Sequence, residues 1–326
     1  MHDSAKSQSS TPRPAAVPRA AMGVLTRAEK RRAREVDRIS GLPDDVLGDI
    51  VSLLPTKDGA RTQILSSRWR HLWRSAPLNL DLHDDDPVGR SIRASEVSHI
   101  LSTHPGPGRR FVMPCLGYPY YDYPDKTALD GWLHSPALDN LQELRFQHYP
   151  RLLLPPSVRR FSSTLRIARF CDCTFPDGNN GGAPLLLPVL ESLTLFDVRI
   201  SGSTLHALLA GCPVLQSLFL FDNYGFPRLQ IVSPSLRSIL LGSYWRSLMS
   251  HHELVIEDAP CLETIQCSEK LQMNISVISA PRLAILGTLF DDTPRLQFGA
   301  TVLQVWAPSP AFMRDPIKSH HLIMMC

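Results

Sequence analysis

The sequence predicts an α/β chain: a short helical unit followed by an irregular solenoid of short repeats. A parallel β ladder is expected along one side, with helices and loops on the convex side. Three observations predict it. Of 47 leucines, 31 lie between Leu141 and Leu303, in short alternating stretches that recur every 20 to 26 residues. The 28 prolines outnumber the 18 glycines, which excludes long uninterrupted helices and favours many short elements separated by turns. Upstream, from Val46 to Trp73, apolar residues follow a helical period instead.

With 43% hydrophobic and 20% charged residues over 326 positions, the composition is that of a soluble globular protein of about two domains. No stretch approaches the roughly 18 apolar residues that span a bilayer, so no membrane partner is expected. The N-terminus lacks the charged-then-apolar order of a signal peptide. The seven cysteines are odd in number and scattered, which points to reduced thiols and a place in the nucleus and/or cytoplasm. The net charge of +3 is unevenly placed: residues 1–36 carry +5 and the rest −2. The folded part therefore has no basic excess, and no nucleic-acid partner is expected.

Residues 1–36 are rich in Ser, Pro, Ala and Arg without hydrophobic periodicity and are expected to form a disordered basic arm. Its run Arg27, Lys30, Arg31, Arg32, Arg34 is either a nuclear-import signal or a solvated arm. From Asp37 the pattern changes to two or three short helices. Val46, Leu47, Ile50, Leu53 and Leu54 form one apolar stripe after Pro43, with Asp44 and Asp45 where negative charge suits a helix N-terminus; Pro55 ends it. A second helix is expected from about Lys57, carrying Ala60, Ile64, Leu65, Trp69, Leu72 and Trp73 on one face, closed by Pro77. So few residues bury their own apolar surface poorly, so either the following domain or another protein packs against them.

In this order and spacing, Leu42-Pro43-Asp44-Asp45-Val46-Leu47, Leu53-Leu54-Pro55-Thr56-Lys57-Asp58, Leu65-Ser66 and Arg68-Trp69-Arg70-His71-Leu72-Trp73 resemble a plant F-box over residues 37–80. The resemblance implies docking onto a Skp-family adaptor of a cullin–RING ubiquitin ligase. Leu42, Pro43, Val46, Leu47, Ile50 and Leu54 are then expected to face the adaptor, with Leu65, Trp69 and Trp73 completing the box. Gly59 departs from the family's alanine, at a helix cost of about 1 kcal/mol, and Gln63 and Ser67 also depart.

Residues 81–90 read as an acidic linker, in which His83 and Asp84 to Asp86 are solvated and hold no metal. Residues 91–305 carry the repeats. Lead leucines Leu141, Leu165, Leu190, Leu215, Leu236, Leu262, Leu283 and Leu303 open stretches such as LQELRF, LESLTL and LQSLFL. Proline stands two residues before five of them, at Pro188, Pro213, Pro234, Pro260 and Pro281, and fixes the incoming turn. A Leu-x-x-Leu-x-Leu core at this period is the leucine-rich-repeat signature. Ser203–Ala210 reads as a linker helix capped by Ser201 or Ser203 and stopped at Gly211; 222–234 is too short for one. Ile92–Leu101 and Ala128–Leu133 read as helices of earlier repeats and Arg110–Met113 as a strand.

Box followed by irregular repeats is similar to the grass F-box/LRR proteins, many of which continue into an FBD domain. Residues 306–326 continue no repeat, and a truncated or alternatively spliced product is expected. The resemblance implies a substrate-recognition adaptor of a Skp–cullin–F-box ligase, with the repeat surface holding a protein substrate. The alternative is a ligase-independent scaffold, or a truncated competitor that binds the adaptor without substrate. No phosphate loop, dinucleotide fingerprint or paired nucleophile and base is present, so no enzyme, cofactor or metal is expected. Cys171 and Cys173 read as packing residues, His251-His252 and His320-His321 as surface pairs, and Asn179 to Gly182 as a turn. Tyr118, Tyr120, Tyr121 and Tyr123 form either a loop over the solenoid or a partner contact.

Overall fold

The protein is described here by a computed structural model covering residues 39, 41–82, 92–113, 124–177, 184–243, 252–267, 273–286, 296–299 and 301–303. The basic arm, the His83–Asp86 run, the tyrosine cluster, Asn179 to Gly182, the side chains of both histidine pairs and the tail lie outside the described residues. Among those described, no helix is long and apolar enough to cross a membrane.

Ahead of Asp45, Ile39 and Leu42 close a turn, with the Leu42 N–H donating to the Ile39 carbonyl at 3.0 Å. Helix α1 spans Asp44–Leu53, and α2 spans Thr56–Arg61 before running into a 3-10 turn at Thr62–Ile64. Helix α3 spans Ser67–Ser75. The single second helix read from the spacing is thus broken in two. Ser66 is fully extended, at φ −169° and ψ 174°. The Thr62 hydroxyl and Gln63 amide also bond back to the Gly59 and Ala60 carbonyls. Side chains that compete with the helical ladder in this way favour a helix end.

A parallel sheet follows directly: β1 (Leu78–Asp81), β2 (Gly108–Val112), β3 (Glu143–Leu153), β4 (Ile167–Thr174), β5 (Ser192–Phe196) and β6 (Ser217–Phe221). Strands β7 (Arg228–Val232), β8 (Ser238–Gly242), β9 (His252–Asp258), β10 (Thr264–Cys267), β11 (Met273–Val277) and β12 (Ile285–Leu286) come next. The first sheet runs in the order β1-β2-β3-β4-β5-β6-β8-β10-β12, nine strands in sequence-ordered neighbours, as stacked repeats require. It begins at Leu78, not near residue 91, because Leu78, Leu80 and Leu82 already alternate inward and Asp81 belongs to the strand.

The lead leucines do build the core: Leu141, Leu165, Leu190, Leu215, Leu236 and Leu262 are each at most 2% exposed. Three and five residues on, the pairs Leu144 and Phe146, Leu193 and Leu195, and Leu218 and Leu220 also point inward. The preceding prolines sit one position into tight turns that close on the lead leucine: Leu190 N–H to Leu187 O, Leu215 to Cys212, Leu262 to Ala259 and Leu283 to Ala280, at 3.1 to 3.2 Å. Proline's fixed φ suits that second turn position.

The side opposite the ladder changes character along the chain. Upstream it carries helices α4 (Ala94–Thr103), α5 (Lys126–Leu133) and α6 (Gly202–Ala210), the last capped by Ser201 and ended at Gly211. From Arg228 it carries a second parallel sheet in the order β7-β9-β11-β13, with β13 (Leu296–Phe298) paired antiparallel to β14 (Thr301–Leu303). A strand advances about 3.3 Å per residue against 1.5 Å for a helix. The short return legs of the later repeats therefore cross the layer as strands. Leu303 accordingly opens no further repeat: Gly299, at φ 53°, reverses the chain, and Leu303 pairs back with Leu296.

The solenoid covers one face of the helical unit. Trp69, Leu72 and Trp73 are 5 to 7% exposed. The Asn79 amide in β1 donates to the Ser52 and Leu54 carbonyls at 2.5 and 3.2 Å, and the Thr56 hydroxyl donates to Asn79 O at 2.5 Å. The helices thus engage backbone on the outer edge of the first strand, where an uncovered edge is prone to pair with other chains.

Candidate partner-binding surfaces

On α1 the apolar stripe divides into two faces. Leu47 and Val51 are at most 1% exposed and Leu54 is half-buried, so they turn towards the protein. Val46, Ile50 and Leu53, spaced i, i+4, i+7, remain 42, 39 and 70% exposed. The break before Ser66 adds two more, since Ile64 and Leu65 are 86 and 62% exposed. Of the residues singled out from sequence, Val46, Ile50 and Leu65 lie on the surface, whereas Leu47, Trp69 and Trp73 are buried, and Trp73 packs against His104 of the first repeat. Leu42 is half-buried and Pro43 exposed in the segment before Asp45. Leu53 and Ile64, placed on apolar helix faces by spacing, are exposed; the signal for Ile64 is the Thr-Gln pair that ends α2.

A polar joint fixes α3 to the first repeat. His104 stacks edge-on to Trp73 at 4.8 Å. Its Nδ1 lies 3.0 Å from the Gly106 N–H and so accepts, which leaves the Nε2 proton to donate to the Trp73 carbonyl at 3.1 Å. Burial lowers the His104 pKa below its ordinary 6.5, against the opposing effect of the bond to the Trp73 carbonyl. Beside it, Lys57 pairs with Glu96 at 3.2 Å. The Glu96 carboxyl is held below its ordinary range first by the Arg93 backbone N–H and also by Lys57, with burial opposing.

The second surface is the outer face of the nine-stranded sheet. Its rows follow from the register: Ser192, Ser217, Ser238, Thr264; then Arg169, Thr194, Phe219, Leu240, Gln266; then Phe196, Phe221, Gly242. The Phe196 and Phe221 rings stack at 5.2 Å, and Phe219 and Phe221 at 5.9 Å. Where the strands leave the sheet, Asp172, Asp197 and Asp222 adopt positive φ of 46°, 50° and 50°, a conformation that Asp tolerates better than most residues. Each carboxylate takes a bond at 2.6 Å, from Gln147, Arg151 and Ser243 respectively. All three stand seven residues after a lead leucine, a spacing legible in the sequence but not singled out there.

Among the described cysteines, Cys171, Cys173 and Cys212 are packing groups. Cys171 and Cys173 in β4 are buried and join no disulfide, and burial pushes the Cys212 thiol up to about 12 and Cys267 to about 11, where neither is reactive.

Residues 129–317, more than half of the chain, match the family described as FBD-associated F-box protein At5g56370, LRR repeats, and residues 39–81 match the F-box domain. The chain is 28% identical over 256 residues to the F-box/FBD/LRR-repeat protein At1g51370 of Arabidopsis thaliana, covering 76% of this chain and 54% of that one. It is 29% identical over 256 residues to the F-box/LRR-repeat protein At3g03360 (76% and 52%), and 27% identical over 308 residues to the F-box/FBD/LRR-repeat protein At3g52680 (87% and 66%), both of the same plant. It spans about half the length of the first two. With an F-box built onto stacked leucine-rich repeats, the chain belongs to the plant family of FBD-associated F-box/LRR proteins.

Proposed function

We propose that this chain is the substrate receptor of a Skp–cullin–F-box ubiquitin ligase: the box docks a Skp-family adaptor and the repeat surface holds a protein substrate. The observation that carries this reading is the division of the box. Its tryptophans are consumed by the solenoid, yet Val46, Ile50, Leu53, Ile64 and Leu65 stay uncovered. Exposed apolar side chains in such number mark a surface for a partner. F-box domains in general dock Skp-type adaptors, and these residues are the ones left to do so. The receptor performs no bond chemistry itself; it raises the substrate's effective concentration at the transfer machinery. The buried thiols support residence in the nucleus or cytoplasm, where thiols stay reduced.

The test is binding of the full chain to a purified Skp-family adaptor. Wild type is expected to form a stable complex, and Val46→Asp with Ile50→Asp to lose it without a change in thermal unfolding. A wild-type chain that fails to bind sinks the reading. Reconstituted ubiquitin transfer to a bound protein separates a receptor from a scaffold.

A further inference from the structure

On a sheet face turned away from the core, polar side chains are the expectation. Here one margin obeys it, with Ser192, Ser217, Ser238 and Thr264 in one row and Ser238 donating to Ser217 at 3.1 Å. The middle does not. Phe196, Phe219 and Phe221 lie with parallel rings, and Leu240 continues the row on β8. Gly242 leaves the room that the Phe221 ring occupies: a Cβ there would stand 2.2 Å from the ring. Beside this bench, on β4, stands Arg169. Its neighbours Ala168 and Phe170 are wholly buried, so it points outward, half-buried. Nearby arginines are paired, Arg166 with Glu191 and Arg151 with Asp197; Arg169 has no carboxylate partner among the described residues.

We propose that this face takes a substrate segment in which an aromatic or leucine side chain stands two or three residues from an Asp or Glu. The apolar side chain lies on the Phe219–Phe221 bench, and the carboxylate pairs with the Arg169 guanidinium. The proposal rests on the receptor reading and gives its substrate chemistry. The spacing follows from the register. Arg169 is diagonal to Phe196 on the next strand, about 7 Å away, and two strands from Phe219, about 10 Å. An extended peptide covers those distances in two and three residues. A half-buried guanidinium binds a carboxylate bidentately and more strongly than a solvated one does.

The experiment pans a displayed random-peptide library against the full chain, then measures the selected peptides by fluorescence polarisation. Enriched sequences are expected to carry the acid–apolar pair. Arg169→Gln should weaken them about tenfold, replacing the peptide acid by its amide should do the same, and the two changes together should add little more. Panning on Arg169→Glu should select a basic residue at the acid's position. Phe219→Ser should also weaken binding; should it disturb folding, the peptide-side substitutions carry the same information. No enriched sequence, enrichment without the pair, or affinity indifferent to Arg169→Gln overturns the proposal. Adaptor binding, measured on the same preparation, fails or holds independently of these outcomes.

Discussion

A β-carbon on Gly59 would stand 2.3 Å from Cζ3 and 2.8 Å from Cε3 of Trp73, so the indole fills the space that a side chain at position 59 would need. From helix propensity alone Gly59 is a defect, and alanine should gain about 1 kcal/mol. The structure reverses the sign. Gly59→Ala is expected to lower the thermal midpoint, because Trp73 is 7% exposed and packs edge-on against His104 at 4.8 Å, so shifting its ring disturbs that contact. At Gly48 in α1, a β-carbon would meet nothing within 4 Å, and Gly48→Ala should stabilise by up to about 1 kcal/mol. Equal or higher stability for Gly59→Ala would falsify the packing account.

Asn223 is wholly buried between two turns of the solenoid. Its Oδ1 accepts from the Val198 N–H at 3.0 Å and its Nδ2 donates to the Leu195 carbonyl at 2.9 Å. Asn223→Ala strands both backbone groups, at about 1 to 3 kcal/mol each. Denaturant unfolding should show a loss of at least about 2 kcal/mol. A loss within the range of a surface change would mean that water reaches these groups.

The His104 joint predicts a direction for pH. Burial places the folded pKa below the unfolded 6.5, so the neutral ring stabilises the fold at and above that pH. Stability then falls as the pH drops from 6.5 towards the folded value. Protonating Nδ1 also removes the acceptor used by the Gly106 N–H. Glu96, likewise lowered, holds its contribution above 4.5 and loses it only in stronger acid. Thermal midpoints between pH 7 and 5.5 should therefore decline less in His104→Gln than in wild type; identical slopes would exclude His104 as the source.

Because α1 to α3 cover the outer edge of β1, removing residues 45–77 should expose that strand and the apolar end of the solenoid. The truncated chain is expected to aggregate, whereas Leu53→Glu and Ile64→Glu should keep the wild-type midpoint. Size-exclusion chromatography of both distinguishes them, and a soluble monomeric truncation would contradict the capping role. Point substitutions, not deletion, are therefore the means of testing the proposed adaptor contacts.

Local devices were legible in the sequence because a single leucine period, a proline two residues before the lead leucine and Ser201 before the Leu205, Leu208, Leu209 stripe each act within a few residues. They determined the repeat, the inward ladder of Leu141 to Leu262, and the bounds of α6. The family pattern around Leu42 to Trp73 likewise located the box. What only the tertiary structure decided involves distant parts of the chain. Periodicity put Leu47 and Val46 on one stripe, but which of them is covered depends on the packing of the whole helical unit and solenoid. Trp73 needs a glycine fourteen residues away in sequence, and Asn79 reaches back to Ser52. The length of a return leg, set between successive lead leucines, decided whether the second layer was helix or strand. Nor does any local pattern reveal that Phe196, Phe219 and Phe221 share one face beside Arg169. Stacking brings successive repeats within about 5 Å of each other, and that juxtaposition is written in the register rather than in any one repeat.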